Sequence, residues 1–153
     1  MIKKSVHWSW RRFPDLELQQ WHDLLQLRIN VFVVEQDCPY PELDGKDPLC
    51  IHILGIQENK IVATARILPP GLSYREVSIG RVAVQESLRG SGVGRELMMY
   101  CLKVIDSEYG TIPVRISAQT YLKDFYTGLG FQDTGHYYDE DNIPHLEMFK
   151  PTA

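Results

Sequence analysis

Three glycines at alternate positions, Gly90, Gly92 and Gly94, lie between Arg89 and Arg95 in the run Arg-Gly-Ser-Gly-Val-Gly-Arg. A β-rich segment, Val77–Val84, precedes this run. After it the apolar positions Val93, Leu97, Met98, Cys101, Leu102 and Ile105 recur with the period of an amphipathic helix ending near Gly110. A strand therefore feeds a short loop, which feeds a helix N-terminus. Glycines remove the Cβ atoms that would hold an anion away from the backbone. The N–H groups of a first helical turn have no partners within the helix, and the helix dipole adds about half a positive charge there. Arg89 and Arg95 supply forked donors suited to phosphate oxygens. The chemistry on offer is polyanion binding at a helix start.

Several anion loops share this outline. A Walker A loop ends in Gly-Lys-Ser/Thr, whereas this one ends in Gly94-Arg95-Glu96. A dinucleotide loop places its third glycine three positions after the second and an acid at a strand end about 20 residues on; neither condition is met. A glycine-rich helix entry that binds nothing also satisfies the local pattern.

Other residues are candidates for proton transfer. Glu35 follows the apolar run Val31-Phe32-Val33-Val34, where a carboxylate with a raised pKa would act as a base, although a helix-end residue bonded to backbone fits equally. His52 interrupts an apolar strand and His145 follows Pro144 near another. An imidazole ordinarily titrates near 6.5 and suits proton relay, while a lone strand histidine equally serves as a structural hydrogen-bonding group. The five histidines and three cysteines form no metal-ligand spacing, so no metal is expected. The acids Glu42, Asp44 and Asp47, and Asp139-Glu140-Asp141, would either attract a cationic substrate or simply be solvated.

Positioning these groups takes a layered domain, and 153 residues with 44% hydrophobic and 24% charged side chains fit a single one spanning 1–153. The net charge of −4 argues against nucleic acid as a partner. No apolar run long enough to span a membrane and no apolar leader segment is present, and the unpaired cysteines read as reduced thiols, so a cytoplasmic location is expected. Ser5–Trp10 alternates Val6, Trp8 and Trp10 and predicts a first strand. Asp15 is placed to cap a helix whose stripe is Leu18, Trp21, Leu25, Arg28 and Phe32. Cys38–Pro48, with three prolines, a glycine and several acids, predicts a loop. Cys50–Gln57 and Ile61–Leu68 form a hairpin around Glu58-Asn59-Lys60, followed by the Val77–Val84 strand and the helix after Gly92. Ile112–Ala118 predicts a strand, Leu122–Leu129 a short helix, and Phe131–Tyr138 and His145–Phe149 the closing strands. The class is α/β (α+β), with a parallel crossover around residues 77–118.

The pattern Arg89-x-x-Gly92-x-Gly94 after a Val-Ala-Val strand resembles the coenzyme A loop of the GCN5-related N-acetyltransferase (GNAT) family. Gln119-Thr-Tyr-Leu-Lys-Asp-Phe125-Tyr126-Thr-Gly-Leu-Gly130-Phe131 resembles that family's later signature, at the family's spacing of one helix and one strand. Arg28-x-x-Val-Phe-Val-Val-Glu35-Gln36, Asp44-Gly45, His52-Ile-Leu-Gly and Ile143-Pro-His145 resemble its ElaA-type branch. The resemblance implies the acyl-CoA N-acyltransferase fold: a mixed, mostly antiparallel sheet of six to seven strands flanked by helices, with a splayed parallel strand pair. It implies acetyl-coenzyme A as co-substrate and transfer to a small-molecule or peptide amine by direct attack in a ternary complex. Val82, Ala83 and Val84 would lend backbone groups to the pantetheine arm. Arg89, Gly90, Ser91, Gly92, Val93, Gly94 and Arg95 would hold the pyrophosphate. Gln119, where many members have Asn, and Phe125 would contact the cofactor arm, and Tyr126 would protonate the leaving thiolate. Glu35, His52 and His145 remain the candidate bases. A non-catalytic acyl-CoA-binding module and an acyl-homoserine lactone synthase are the alternatives, and a homodimer is compatible with the family.

Overall fold

A computed structural model describes residues 5–153; part of the N-terminal stretch read above for a leader lies outside them. The strands are β1 (His7–Arg12), β2 (Ile51–Gln57), β3 (Lys60–Leu68), β4 (Ser78–Val84), β5 (Val114–Gln119), β6 (Gln132–Glu140) and β7 (Ile143–Lys150). The helices are α1 (Leu18–Ile29), α2 (Val93–Tyr109) and α3 (Lys123–Thr127). Antiparallel pairing gives a four-stranded sheet, β1-β2-β3-β4, and a three-stranded sheet, β5-β7-β6. They meet at one parallel bridge, Val77–Val114. Two tight turns carry consecutive residues at positive φ, Glu58-Asn59 and Asp141-Asn142, the backbone that a two-residue hairpin requires. The second turn extends β6 and β7 two residues beyond the sequence expectation at the hairpin end, to Glu140 and Ile143.

Apolar burial explains the layers. The face of α2 carrying Leu97, Met98, Cys101 and Ile105 packs with Ile53, Ala65, Ile79, Ile116 and Met148 in one core shared by both sheets. On the opposite face, Leu27 and Val31 pack against Ala83. The stripe of α1 differs from expectation: Leu24, Leu27, Arg28 and Val31 are buried, whereas Leu18 is 89% exposed. Asp15 lies in a separate 3₁₀ turn, and the cap of α1 is Glu17, whose N–H donates to Gln20 Oε1 at 3.0 Å. After Ile29 the helix widens into a π turn, Asn30–Glu35.

The acids of the 38–48 loop are neither free for a substrate nor solvated as a group. Arg28 donates to Glu42 at 2.5 Å and to Asp47 at 2.8 Å, and Arg66 donates to Asp47 at 3.1 Å and Asp44 at 2.6 Å. Arg81 adds a bond to the Glu42 carboxylate at 3.0 Å and one to its carbonyl, and Tyr40 OH donates to Glu42. Arg28, Glu42, Asp47 and Arg66 are all buried. Three arginines thus neutralise three carboxylates and pin the loop to α1, β3 and β4. Removing one member strands the others: Arg28→Met should cost about 3–5 kcal/mol in denaturant unfolding. Arg66 holds Asp44 below the usual carboxylate range; burial opposes ionisation of Asp47, but Arg28 and Arg66 outweigh it. Carboxylates depressed on folding stabilise above their unfolded pKa of about 3.9 and lose that contribution as pH falls below it. The acid-side fall in stability should therefore be shallower in Arg28→Met.

Candidate active site

Beyond the Val77–Val114 bridge, where Arg115 N–H donates to Val77 O at 3.0 Å, β4 and β5 separate. The cause lies in β4. Thr64 of β3 faces Ala83 and Arg66 faces Gly80, so Arg81 and Val82 stand against Ala65 alone. Arg81 takes φ 50°. An extra residue of this kind bends the strand that carries it. The gap becomes a cleft of about 1290 Å³, larger than the roughly 300–1,000 Å³ of a single small-molecule pocket. Val82 and Val84 line it, while Ala83 packs against Leu27 of α1 and Val31.

The glycine loop forms one end. Gly90 and Gly92 take φ 79° and 91°, and a Cβ at either would meet nothing within 4 Å, so the loop surface is open to an approaching group. The first hydrogen bond of α2 runs from Glu96 N–H to Gly92 O. The N–H groups of Val93, Gly94 and Arg95 precede it and have no carbonyl one turn back in the helix. Arg89, Gly90, Gly92, Gly94 and Arg95 line the cleft. The Val93 side chain is instead buried in the core, and Ser91 Oγ donates to Leu88 O; neither residue is part of the cleft lining. These features fit a pyrophosphate. Phe125 packs beside Gly94, its ring 3.7 Å from an ideal Cβ there, an ordinary contact distance.

Tyr126 and Gln119 line the middle of the cleft. Tyr126, on α3, is 6% exposed and packs edge-on against Phe125 and Phe131. Burial pushes its phenol above the ordinary tyrosine range. Gln119 exchanges long hydrogen bonds of 3.4–3.5 Å with Gln36 across the cleft.

The three candidate bases separate. His52 is fully buried between Phe13 and Trp21, away from the cleft lining, and its Nε2 donates to Asp47 O at 2.9 Å. Burial lowers its pKa, and its role is to hold the loop. Glu35 lines the cleft, but Arg89 holds its carboxylate at 2.5 Å while also donating to Val84 O. His145 lines the cleft with Nδ1 2.7 Å from Ile143 O. A carbonyl only accepts, so Nδ1 carries the proton and the neutral ring has its lone pair at Nε2. Glu140 lies 3.5 Å from that nitrogen. Tyr74 and Ser117 also line the cleft and form no local sequence pattern, whereas Glu140 and Asp141 line it from the acidic run Asp139-Glu140-Asp141 singled out in the sequence.

The GNAT acetyltransferase domain model matches residues 46–151. The chain belongs to the GNAT family. Over 145 residues it is 42% identical to the protein ElaA of Escherichia coli, covering 94% of this chain and 95% of that one, which places it in the ElaA-type branch. The E. coli ElaA crystal structure matches at TM-score 0.89 and 41% identity, covering 95% and 99% of the two chains. An acyl-CoA N-acyltransferase from Pseudomonas aeruginosa matches at TM-score 0.90 and 38% identity, with the same coverage. The GNAT fold makes the chain an acyltransferase by family. A coenzyme A-dependent acyl-homoserine lactone synthase, BjaI, shares the fold at TM-score 0.78 but only 16% identity, over 99% of this chain and 84% of that one. That likeness concerns fold alone.

Two outcomes test the cofactor end. Gly92→Val places a β-branched residue in left-handed backbone and a side chain in the approach path; coenzyme A affinity by calorimetry should fall more than about tenfold. Glu35→Gln frees Arg89 for phosphate and should tighten coenzyme A binding a few-fold, the scale of an exposed ion pair. A hundredfold loss of kcat in that variant would instead make Glu35 the base.

Proposed function

We propose that the chain is an N-acetyltransferase that moves the acetyl group of acetyl-coenzyme A to a primary amine by direct attack in a ternary complex. The observation that carries the proposal is the continuity of one cleft from the glycine loop, past the splayed edge of β4, to Tyr126 and His145. An extended cofactor spans the first part, and its thioester comes to lie beside the gap between β4 and β5. Backbone N–H groups of Val82–Val84 polarise the thioester carbonyl, where preorganised dipoles act without reorganisation.

The amine must be neutral to attack, and an alkylammonium has a pKa of about 10.4, so a base is needed at neutral pH. His145 takes this role, since His52 lies outside the cleft and Arg89 engages Glu35. Collapse expels a thiolate, which Tyr126 protonates. Burial keeps the phenol protonated, and the same apolar surroundings raise the proton affinity of a thiolate beside it.

Direct transfer is favoured over an acyl-enzyme by the state of the thiols. Burial pushes Cys50 up to about 11 and Cys101 well above its ordinary range, and neither lines the cleft. Cys38 does line it, but its thiol donates to Asp141 O.

A thiol-release screen of acetyl-coenzyme A against amines, amino acids and peptides tests the activity. No release with any acceptor would sink the transferase assignment. In Tyr126→Phe, kcat should fall at least about tenfold while the affinity for acetyl-coenzyme A stays within about twofold; wild-type turnover would remove Tyr126 from the mechanism.

A further inference from the structure

The end of the cleft opposite the glycine loop is organised by register. The Asp141-Asn142 turn sets Glu140 opposite Ile143 and Tyr138 opposite His145, and on the other side of β7 His145 faces Gln119. Directly opposed residues share a sheet face. Gln119, His145 and Tyr138 therefore form a row across three strands, with Ser117 on the same face two residues before Gln119. Tyr138 stacks on His145, with centroids 6.0 Å apart and planes at 16°. Ser117 Oγ is hydrogen-bonded to Tyr138 OH and lies 3.5 Å from Glu140 Oε2. The same Glu140 oxygen lies 3.5 Å from His145 Nε2. Ser117 and His145, both in contact with Tyr138, thus flank the Glu140 carboxylate at the cleft wall.

Two other carboxylates of the cleft are paired with arginines. Glu35 is neutralised by Arg89, and Asp44 by Arg66 and Arg81. Among the described residues the ion-pair partner of Glu140 is His145, which is a cation only when protonated. Asp141 lines the cleft next to it. The lining cation Lys46 donates to Ser73 Oγ at 2.7 Å. With His145 neutral, this wall keeps an uncompensated carboxylate 3.5 Å from a proton acceptor.

We propose that Glu140 is the ammonium-binding residue of the acceptor site and that the acceptor is an alkyl primary amine bound as its cation, not an arylamine or an alcohol. The proposal rests on the transferase reading above. The ammonium donates to Glu140, and one of its protons passes to His145 Nε2, giving an imidazolium that Glu140 stabilises. The freed nitrogen lone pair attacks the thioester carbon; a C–N bond forms and the C–S bond breaks. The thiolate takes the proton of Tyr126. The nitrogen sheds a second proton, which restores the phenol, and the proton on His145 leaves to solvent. The sum is ammonium plus thioester to amide, thiol and one released proton.

The test uses the full chain, with n-butylammonium as the cationic probe and n-butanol as its neutral counterpart. Binding is followed by the imidazole NMR resonances of His145, assigned against His145→Gln. Butylammonium should shift those resonances saturably, and butanol should not. Glu140→Gln should weaken the response at least tenfold, with Glu140→Asp intermediate, while acetyl-coenzyme A affinity stays within twofold in both variants. Equal butylammonium binding by wild type and Glu140→Gln, or no shift of His145 in the wild type, would overturn the proposal. A saturable, Glu140-dependent shift with no thiol release from any amine would uphold the ammonium site and overturn the transferase reading instead.

Discussion

A carboxylate removed from water costs several kcal/mol unless cations replace the lost hydration. Glu42 is nearly inaccessible, and its charge is met by Arg28 from α1, Arg81 from the bulge of β4 and the Tyr40 hydroxyl from its own loop. Asp47 imposes the same demand and draws Arg28 and Arg66 together. The loop between α1 and β2 can therefore close only where those guanidinium groups stand. That closure brings Cys38 onto the β6–β7 turn and Gln36 opposite Gln119. A pairing network that adds little net stability thus specifies the wall of the cleft.

The same network reaches the strand that opens the site. Arg81 occupies left-handed backbone at the bulge, a conformation costly for a residue with a Cβ, and its guanidinium is tied to both the carboxylate and the carbonyl of Glu42. With β4 bent away from β5, the two sheets share a core under α2 yet, among the described residues, pair only at Val77–Val114. The gap then runs from a helix N-terminus flanked by arginines to a wall bearing Glu140 and His145. Opposite signs of charge at the two ends give the cleft a direction, which suits the proposed polyanionic donor at one end and the proposed cationic acceptor at the other.

Much of this was legible in the residues. The strand, glycine loop and helix around Val77–Tyr109 formed as the periodicity required, because Gly90 and Gly92 at positive φ and the apolar face of α2 are local demands. Phe125-Tyr126 one strand later, with the Glu35-Gln36 and His145 contexts, pointed to the family and its ElaA-type branch. The bulge at Arg81 had no such mark, since it carries no glycine. Leu18 and Asp15 misled for a related reason: the helix begins later than Pro14, and its buried face is set by what β3 and β4 present to it.

The sequence by itself determined most of the elements, their order and the glycine loop, which rest on periods of two and 3.6 residues and on glycine's backbone freedom; the family came from the resemblance of its motifs. Only the tertiary structure decided what each charged side chain does. Glu42, Asp44 and Asp47 became the partners of arginines 14 to 39 residues away along the chain, with Glu42 and Asp47 buried. Glu35 went to Arg89, and His52 was sealed between aromatic rings. His145 and Glu140 met across a two-residue turn at the edge of the gap. The role of a charge depends on its solvation and on the opposite charges nearby, and both are properties of packing in three dimensions that no spacing along the chain encodes.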